Sequence, residues 1–548
     1  MPQPNRHHLP PADLWPTRLP IADVEYPNPV NLATVLLDRH VESGGAARTA
    51  IHADDGRVTY GELQRLTNRV GNALQRLGIG PGDRVAMRLM NGPRFVATWL
   101  AIQKIGAIGV STMPMLRARE LAYIVNDSEA ALVVCQHDLI DELARAQSSF
   151  QRPVPIVTWG RGASNDAGPA KAFEDVITTA SDELAPVQGS DDDVALIAYT
   201  SGSTGVPKGA THTASDVLAS ADCYARHILD PRPDDVFGGH PTLAFTFGLG
   251  GLLVFPFRAG AATSLIGRFT VDALLARIAA DRITVLFCAA TTYRLLLQHP
   301  GLEHSYDLSS LRLCVSAGEP LPASVYEEWR RPTRVELLDG IGSTEMFHIF
   351  ISSRAGAVRP GSTGTIVPGY DARIVDDDLR EVPRGTPGLL AVRGPTGCRY
   401  WRKPERQREY VRGGWNVTGD IYRQDEDGYF WYQCRTDDLI ICGGYNIAGP
   451  EIENVLIEHA AVLEAAVVAS PDPVRGAVPK AFIVLKDGVI PSDVLAAELQ
   501  AHVKRELAPY KYPREIEFVT ELPRTETGKI RRAVLREREA QRAARSTA

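Results

Sequence analysis

The sequence predicts an α/β protein in which a large N-terminal domain, residues 1–436, precedes a smaller α+β domain, residues 437–548. Three observations predict this division. Helical and strand-like patterns alternate as far as Gly361, short β-like pieces follow that glycine, and an α+β pattern fills the chain beyond Asp437. Because a chain of 548 residues is too long for one hydrophobic core, two or more domains are expected.

The alternating part begins near Val58, where an amphipathic helical pattern leads into the strand-like segment VAMRLM and a second helix, AIQKIGA. The same alternation recurs in LAYIVNDSEAALVVC, FTVDALLARIAADRITVLFCA and LSSLRLCVSAGEPLP. It predicts two parallel-sheet α/β subdomains covered by helices. Phosphate and substrate groups are then expected at the carboxyl ends of the strands.

The remaining elements predict a small β-rich subdomain and the C-terminal domain. YDARIVD, GLLAVRG and GYFWYQC are short β-like pieces separated by turn residues. Beyond Asp437 the pattern gives two helices, PEIENVLIEH and SDVLAAELQAHVKREL, and three strands, EAAVVAS, KAFIVLK and REIEFVT. The arginine-rich tail from Lys529 is expected to be a solvated helix.

Composition excludes some classes of function. The net charge of -7 gives no general attraction for nucleic acid or an anionic membrane, so a polyanion must be bound locally. The 7 cysteines are scattered without a CxxC pair, which predicts reduced thiols in the core or at the surface and no zinc site. The first residues lack a secretory apolar stretch, so we expect a soluble, cytoplasmic protein.

The segment Tyr199–Gly209, YTSGSTGVPKG, has the composition of a phosphate-binding loop. Glycines let backbone N–H groups approach a polyphosphate, hydroxyls add donors, and a lysine adds a positive charge. It is not a Walker A loop, because Pro207 precedes the lysine and Gly209 follows it. A solvated turn remains the alternative for this segment alone. The candidate phosphate-binding residues are Thr200, Ser201, Gly202, Ser203, Thr204, Gly205 and Lys208.

Five further segments accompany this loop: SAGEPL (316–321), DGIGSTEM (339–346), TGD (418–420), RTDDLIICGGYNIAGPEIE (435–453) and PRTETGKI (523–530). In order and spacing, the set resembles the acyl- and aryl-CoA synthetases of the adenylate-forming superfamily, from about Val58 to Leu535. The resemblance implies an ATP-dependent ligase. A carboxylate would attack the α-phosphate of ATP and expel pyrophosphate, and the thiol of coenzyme A would then take the acyl group from AMP.

The resemblance also implies roles for single residues. Thr344 would hydrogen-bond the α-phosphate, and Glu345 would hold Mg²⁺, which prefers oxygen ligands. Lys529 would be the catalytic lysine, carried by a mobile C-terminal domain that turns about the hinge residue Asp437. The other residues implied are those of the adenine wall, the ribose contacts and the coenzyme A tunnel: Gly318, Glu319 and Asp339; Asp420 and Arg435; Gly443 and Gly444.

Alternatives stay open for some of these residues. Asp420 after glycine is also a common turn residue, and Arg435 beside two aspartates is also typical of a surface ion pair. Two positions depart from the family. Ile341 stands where an aromatic residue often stacks on adenine, and Asn446 stands where a basic residue often contacts phosphate, which leaves that contact in doubt.

The acid pocket is predicted around the segment His240–Gly251, HPTLAFTFGLGG, which contains no acidic residue. An enzyme selecting α-amino acids normally has an aspartate there, because a buried ammonium needs a partner. By resemblance, an apolar aryl slot would be lined by Phe247, Ala317, Gly342, His348 and Ile349. Phe247 alone would equally suit core packing.

The pattern looks most like 2-aminobenzoate–CoA ligases, and benzoate or a hydroxybenzoate is the alternative acid. His348 would hydrogen-bond the carboxylate or an ortho substituent. An adenylating enzyme that loads a carrier protein and a non-catalytic nucleotide-binding homologue are the competing functions. A monomer or homodimer is expected, with an aromatic acid, ATP and coenzyme A as small-molecule partners.

Overall fold

The structure is a computed structural model that describes residues 6–26, 28–160, 171–190, 192–200, 207–302, 304–442, 445–472, 475–507, 511–525 and 528–547. Within these ranges the strands form sheets of nine, seven, five and five strands. The two larger sheets are α/β, a third forms a β-rich subdomain, and the fourth belongs to a separate C-terminal domain. The predicted fold class is confirmed.

Short 3₁₀ and π-helical turns precede the first strand, at Arg6–His8, Ala12–Leu14, Thr34–Asp38 and Val41–Gly45. Strands β1 (Thr49–Ala53) and β2 (Gly56–Thr59) form a hairpin that leads directly into helix α1 (Tyr60–Arg76). The side chain of Thr59 accepts from the backbone N–H of Glu62, and the Glu62 carboxylate accepts from the N–H of Thr59. This reciprocal cap fixes the start of the helix, because it satisfies two donors that the first turn leaves free.

The seven-stranded sheet follows, in the order β7-β6-β5-β3-β4-β8-β9. Its strands are β3 (Arg84–Arg88), β4 (Ile108–Ser111), β5 (Leu132–Gln136), β6 (Ile156–Trp159), β7 (Lys171–Ala172), β8 (Val194–Thr200) and β9 (Lys208–Thr213). The helices between them are α2 (Pro93–Lys104), α3 (Ala118–Asp127), α4 (Ile140–Gln147) and α5 (Phe173–Thr178). All pairings are parallel except β8 with β9, which flank the phosphate-loop segment.

The nine-stranded sheet has the order β16-β15-β14-β13-β12-β10-β11-β1-β2 and is parallel from β14 to β1, with antiparallel strands at both edges. Its later strands are β10 (Val236–Gly239), β11 (Ala262–Ser264), β12 (Val285–Cys288), β13 (Leu313–Ala317), β14 (Leu337–Gly342), β15 (Ile349–Ser352) and β16 (Thr365–Ile366). The helices are α6 (Ala214–Ser220), α7 (Thr246–Leu249), α8 (Phe255–Ala259), α9 (Val271–Asp281), α10 (Ala290–Gln298) and α11 (Ala323–Thr333).

The predicted β-rich subdomain is present, and its strand pairs are antiparallel. Its elements are β17 (Asp371–Val375), β18 (Gly388–Arg393), α12 (Pro404–Tyr410), β19 (Val411–Arg412), β20 (Trp415–Gln424) and β21 (Phe430–Arg435).

The N-terminal segment 6–26 joins this subdomain to helix α6. The backbone N–H of Thr17 donates to the carbonyl of Gly414, 2.8 Å away, and Arg18 contacts the Asp216 carboxylate at 2.5 Å. Arg399 reaches the same carboxylate at 3.2 Å. Although burial opposes ionisation, these two guanidinium groups hold the pKa of Asp216 below its ordinary value.

The C-terminal domain has its own core and consists of β22 (Leu439–Cys442), β23 (Tyr445–Ala448), α13 (Gly449–Glu458), β24 (Val462–Asp472), β25 (Gly476–Leu485), α14 (Asp493–Glu506), β26 (Glu515–Phe518) and α15 (Arg532–Thr547). The prediction that the tail is a helix is confirmed, but the prediction that it is solvated is wrong on one face. Leu535 and Glu539 of α15 are buried, and the Glu539 carboxylate accepts from Nζ of Lys480 at 2.7 Å.

All seven cysteines are free and buried, so the prediction of reduced thiols holds and the surface alternative does not. In the ranges that the structure describes, no helix is both long and apolar enough to cross a bilayer.

Candidate active site

The predicted site segments meet at the carboxyl edge of the nine-stranded sheet. Strands β10, β12, β13 and β14 are neighbours, and each is followed by a polar or glycine-rich turn. Gly318 and Glu319 follow β13, and the Ser343–Glu345 segment follows β14. Because parallel strands end at one edge, residues far apart in sequence are brought together here.

Thr344 and Glu345 lie in a short 3₁₀ helix, Thr344–Met346, capped by the Ser343 hydroxyl, which accepts from the N–H of Met346 at 3.2 Å. The carbonyl of Thr344 accepts from Nε2 of the buried His212 at 2.7 Å. Burial lowers the pKa of His212 to about 4, so the imidazole is neutral and acts as a fixed donor.

One carboxylate oxygen of Glu345 accepts a hydrogen bond from a residue outside its own 3₁₀ turn. The hydroxyl of Tyr400 donates to Oε1 of Glu345 at 2.7 Å. No hydrogen bond to Oε2 is found among the described residues, and a free carboxylate oxygen is a ligand that suits Mg²⁺. In the same residues no group of three or more potential metal ligands lies together, so a divalent ion here would also need oxygens from a bound phosphate.

The phosphate-loop segment begins at the end of β8 and ends in β9. Thr200 lies directly opposite Lys208 across the two strands. The ammonium of Lys208 lies over the ring of Tyr400, 5.8 Å from its centroid. The other candidate loop residues, Ser201, Gly202, Ser203, Thr204 and Gly205, lie outside the described residues.

Asp420 and Arg435 form a pair across strands β20 and β21 of the β-rich subdomain. Nη1 of Arg435 donates to Oδ1 of Asp420 at 2.9 Å and to the carbonyl of Thr418 at 3.3 Å. The Asp420 carboxylate raises the pKa of Arg435 above its ordinary value. The structure therefore joins the two predicted ribose contacts, and Asp420 is a buried strand residue and not a surface turn.

Lys529 reaches this edge from the C-terminal domain. Gly318 has a φ of +87°, and a Cβ added there would lie 3.6 Å from Cε and 3.8 Å from Nζ of Lys529. Burial lowers the pKa of Lys529, while the nearby carboxylates of Glu319 and Asp420 act in the opposite direction. The C-terminal domain is thus docked with its lysine in the N-terminal site.

The turn that carries Lys529 is closed by its own hydrogen bonds. The N–H of Thr525 donates to the carbonyl of Lys529 at 2.7 Å, and the N–H of Lys529 donates to the Thr525 hydroxyl at 3.1 Å. Gly528 has a φ of +86°, a left-handed conformation that favours glycine. The lysine is therefore presented from a compact turn.

The predicted acid-pocket residues also come together. Ile349 pairs with Gly342 across β14 and β15, and Ala317 ends the neighbouring strand β13. His348 is buried, and its Nε2 lies 3.2 Å from the carbonyl of Phe247. Around the His348 ring lie the rings of Tyr224, Phe247, Phe255 and Phe287, with centroids 4.6–6.4 Å away.

Burial lowers the pKa of His348 to about 3, so its ring is neutral. Nε2 therefore donates to the Phe247 carbonyl, and Nδ1 carries a lone pair. This Nδ1 has no hydrogen-bond partner among the described residues.

Of the remaining predicted residues, Asp339 and Asp437 lie in described parts of the structure, and the two glycines of the coenzyme A tunnel do not. Asp339 is buried on β14, and burial raises the pKa of its carboxyl group well above the ordinary value. Asp437 lies in a 3₁₀ turn, Thr436–Asp438, between the β-rich subdomain and the C-terminal domain. Gly443 and Gly444 lie outside the described residues.

Sequence reasoning missed three residues that hold the candidate site: Tyr400, His212 and Thr291. Thr291 donates from its N–H and its hydroxyl to Oε2 of Glu319, at 3.0 and 2.7 Å. The position of Thr291 just after β12 could have indicated its role, because polar residues at the carboxyl end of a parallel strand often face the site. Tyr400 and His212 lie in no sequence motif that would have indicated theirs.

Two family models match the chain. One, described as AMP-binding enzyme, matches residues 37–401, and the other, AMP-binding enzyme C-terminal domain, matches residues 451–529. The chain belongs to the AMP-binding enzyme family. It is 39% identical over 517 residues to a benzoate–CoA ligase of Thauera aromatica, an alignment that covers 94% of this chain and 97% of that protein.

Solved structures of the family agree with this assignment. The anthranilate CoA ligase AuaEII in complex with anthranoyl-AMP has a TM-score of 0.90 and 37% identity, covering 95% of this chain and 99% of that one. A benzoate CoA ligase from Burkholderia xenovorans LB400 has a TM-score of 0.85 and 35% identity, covering 92% and 100%. This AMP-binding enzyme is an AMP-forming acid–coenzyme A ligase of the aryl type.

We expect Lys529 of the unliganded enzyme to react with an acetylating reagent at lower pH than Lys403, because only the neutral amine reacts. Burial lowers the pKa of Lys529. Although burial also acts on Lys403, its hydrogen bond to Asp127, 3.0 Å long, raises the pKa of that lysine. Competitive labelling across a pH series, read by peptide mass spectrometry, measures both midpoints. A midpoint for Lys403 at or below that of Lys529 would contradict the expectation.

Proposed function

We propose that the enzyme activates 2-aminobenzoate as its acyl-adenylate and then transfers the acyl group to coenzyme A. A carboxylate oxygen would attack the α-phosphorus of ATP, and the bond to pyrophosphate would break. The thiol sulfur would then attack the acyl carbon, and AMP would leave. The observation that carries the proposal is the docking of Lys529 beside Gly318, with Glu319 and Asp420 close enough to act on its charge.

The chain's own residues would divide the work of adenylation. Thr344 would donate to the α-phosphate, and Lys529 would offset the negative charge gathered by the carboxylate and that phosphate. Asp420 and Arg435 would hold the ribose hydroxyls. Gly318, Glu319 and Asp339 would wall the adenine, with Ile341 as an aliphatic face.

A second group of residues would hold the β- and γ-phosphates of ATP. Lys208, Thr200 and the loop residues 201–205 would cover the β- and γ-phosphates. Glu345 would hold a magnesium ion, which supplies charge neutralisation on the phosphate oxygens when bound.

Two features of the predicted pocket residues favour 2-aminobenzoate as the acid. The His348 ring packs against the rings of Phe247 and Phe255, with centroids 5.5 and 4.6 Å away, and such apolar, aromatic surroundings suit a benzene ring. The neutral His348 offers Nδ1 as an acceptor without a donor of its own among the described residues. An ortho amino group supplies that donor, whereas benzoate does not. Benzoate and hydroxybenzoates stay the alternative acids, in line with the benzoate–CoA ligases that resemble the chain.

Loading of a carrier protein is the second candidate function, since the adenylation step would be the same. Coenzyme A is favoured because similar proteins along nearly the whole chain are coenzyme A ligases. Gly443 and Gly444 are proposed to line the coenzyme A tunnel. Cytoplasmic location and a monomeric or homodimeric state stay predictions.

The swing between the two half-reactions is proposed to pivot at Asp437, so that residues 1–436 and 437–548 move as two domains. On one side, the Thr436 hydroxyl donates to the carbonyl of Gly419 in the β-rich subdomain at 2.6 Å. On the other side, Asp438 forms an ion pair with Arg536 of α15 in the C-terminal domain. Asp437 is exposed between these two anchors.

A substrate panel tests the function. We expect kcat/KM with ATP and coenzyme A to rank 2-aminobenzoate first, benzoate lower by roughly tenfold, and hexanoate lower by about two further orders of magnitude, because one lost hydrogen bond costs less than a lost ring. Thioester formation followed by chromatography gives the ranking. Pyrophosphate exchange without any coenzyme A thioester would favour carrier loading, and a preference for hexanoate would reject the aryl pocket.

Replacing Lys529 by alanine should lower adenylation by about 100-fold or more, because a charge that acts in the transition state is lost. Thioester formation from supplied 2-aminobenzoyl-AMP should change by less than about tenfold, since the lysine is expected to leave the site for that step. Lys511→Ala is the matched control on the same domain, where Lys511 pairs with Glu451 at 2.7 Å. Equal losses in both half-reactions would defeat the assigned role.

Replacing Asp437 by proline should block thioester formation by at least about tenfold while adenylation stays within about fivefold, because proline fixes φ and restricts the residue before it. Asp437→Ala leaves both dihedral angles free and serves as the control. Separate assays of the two half-reactions give the comparison. A proline variant with normal thioester formation would place the pivot elsewhere.

A further inference from the structure

Tyr400 is a buried residue, 1% exposed, in a segment that none of the site motifs includes. The backbone around it is fixed on both sides. The N–H of Thr211 donates to the carbonyl of Arg399 at 2.9 Å, and the N–H of Trp401 donates to the carbonyl of Gly209 at 2.8 Å. The N–H of Tyr400 itself donates to Oε1 of Gln407 at 2.9 Å. The ring is therefore held against strand β9.

This placement puts Tyr400 between two residues of the candidate phosphate site. Its hydroxyl donates to Oε1 of Glu345 at 2.7 Å, and its ring lies under the ammonium of Lys208, 5.8 Å from the centroid. A phenolic hydroxyl this close to a carboxylate donates to it, because an ionised carboxylate can only accept a hydrogen bond.

We propose that Tyr400 is a positioning residue that holds the Glu345 carboxylate so that Oε2 is free to bind the divalent ion accompanying ATP. The inference rests on the proposed function of Glu345 as the metal-binding residue. A carboxylate on a flexible side chain loses rotamer freedom when it binds a cation. A hydrogen bond to the other oxygen fixes the carboxylate beforehand, as residues behind metal ligands commonly do.

A purely structural tyrosine would give a different result from a positioning one. If Tyr400 only fills the core, removing its hydroxyl changes stability and leaves metal affinity as it was. If it positions Glu345, metal affinity falls while stability stays close to that of a comparable variant. Tyr60 offers the comparison, because it is also buried and its hydroxyl makes a hydrogen bond of 2.7 Å, to the carbonyl of Ala261.

The experiment measures binding of Mn²⁺ to the full-length protein with ATP, by the electron paramagnetic resonance signal of free Mn²⁺. Tyr400→Phe should raise the dissociation constant for Mn²⁺ by about 10- to 100-fold, the usual effect of losing a residue behind a metal ligand. Tyr60→Phe should leave it unchanged. Thermal unfolding midpoints of the two variants should be similar, which shows that Tyr400→Phe is folded.

A second pair of variants decides whether the effect passes through Glu345. In a Glu345→Gln background, Tyr400→Phe should change Mn²⁺ binding by less than about twofold, because the carboxylate it positions is gone. Wild-type affinity in Tyr400→Phe, or an equal loss in both backgrounds, overturns the proposal. Since binding is measured without the acid or coenzyme A, failure to form an aryl-CoA thioester would reject the proposed function and leave this result standing.

Discussion

The site depends on a cation that another domain supplies. Lys529 lies near the carboxylates of Glu319, Asp420 and Glu345, where burial disfavours its charge and these neighbours favour it. In the proposed reaction, bound ATP would add negative charge beside the lysine, and release of pyrophosphate would remove part of that charge. The charge on one residue would then link the reaction to the position of the C-terminal domain.

The site residues of the N-terminal domain are fixed by hydrogen bonds from neighbouring elements. Thr344 and Glu345 lie in a capped turn whose carbonyl is held by His212, and Glu319 is held by two donors from Thr291. These supports come from a different strand or helix end in each case. If the C-terminal domain moves between the two half-reactions as proposed, these fixed residues would keep the ligand atoms in place for both.

The fold and the motif residues could be predicted because their signals are local. Alternating helix and strand patterns gave the parallel sheets, and glycine, hydroxyl and lysine clusters marked the strand ends. Tyr400 and His212 gave no such signal, because each acts through one hydrogen bond to a residue more than fifty positions away. The burial of one face of the tail helix was not predicted, for a related reason. The composition of the tail is dominated by arginine, which indicates a solvated helix, whereas Leu535 and Glu539 on one face are buried against the C-terminal domain.

The N-terminal segment has a consequence for anyone who shortens this protein. Arg18 pairs with the Asp216 carboxylate, which also accepts from the backbone N–H of Thr213 at 2.9 Å. Thr213 follows His212, which donates to the carbonyl of Thr344. The segment is thus connected through β9 to the turn that holds Thr344 and Glu345. We expect a version trimmed past Arg18 to bind ATP more weakly, and a screen of deletions that measures only activity would score this loss as a catalytic defect.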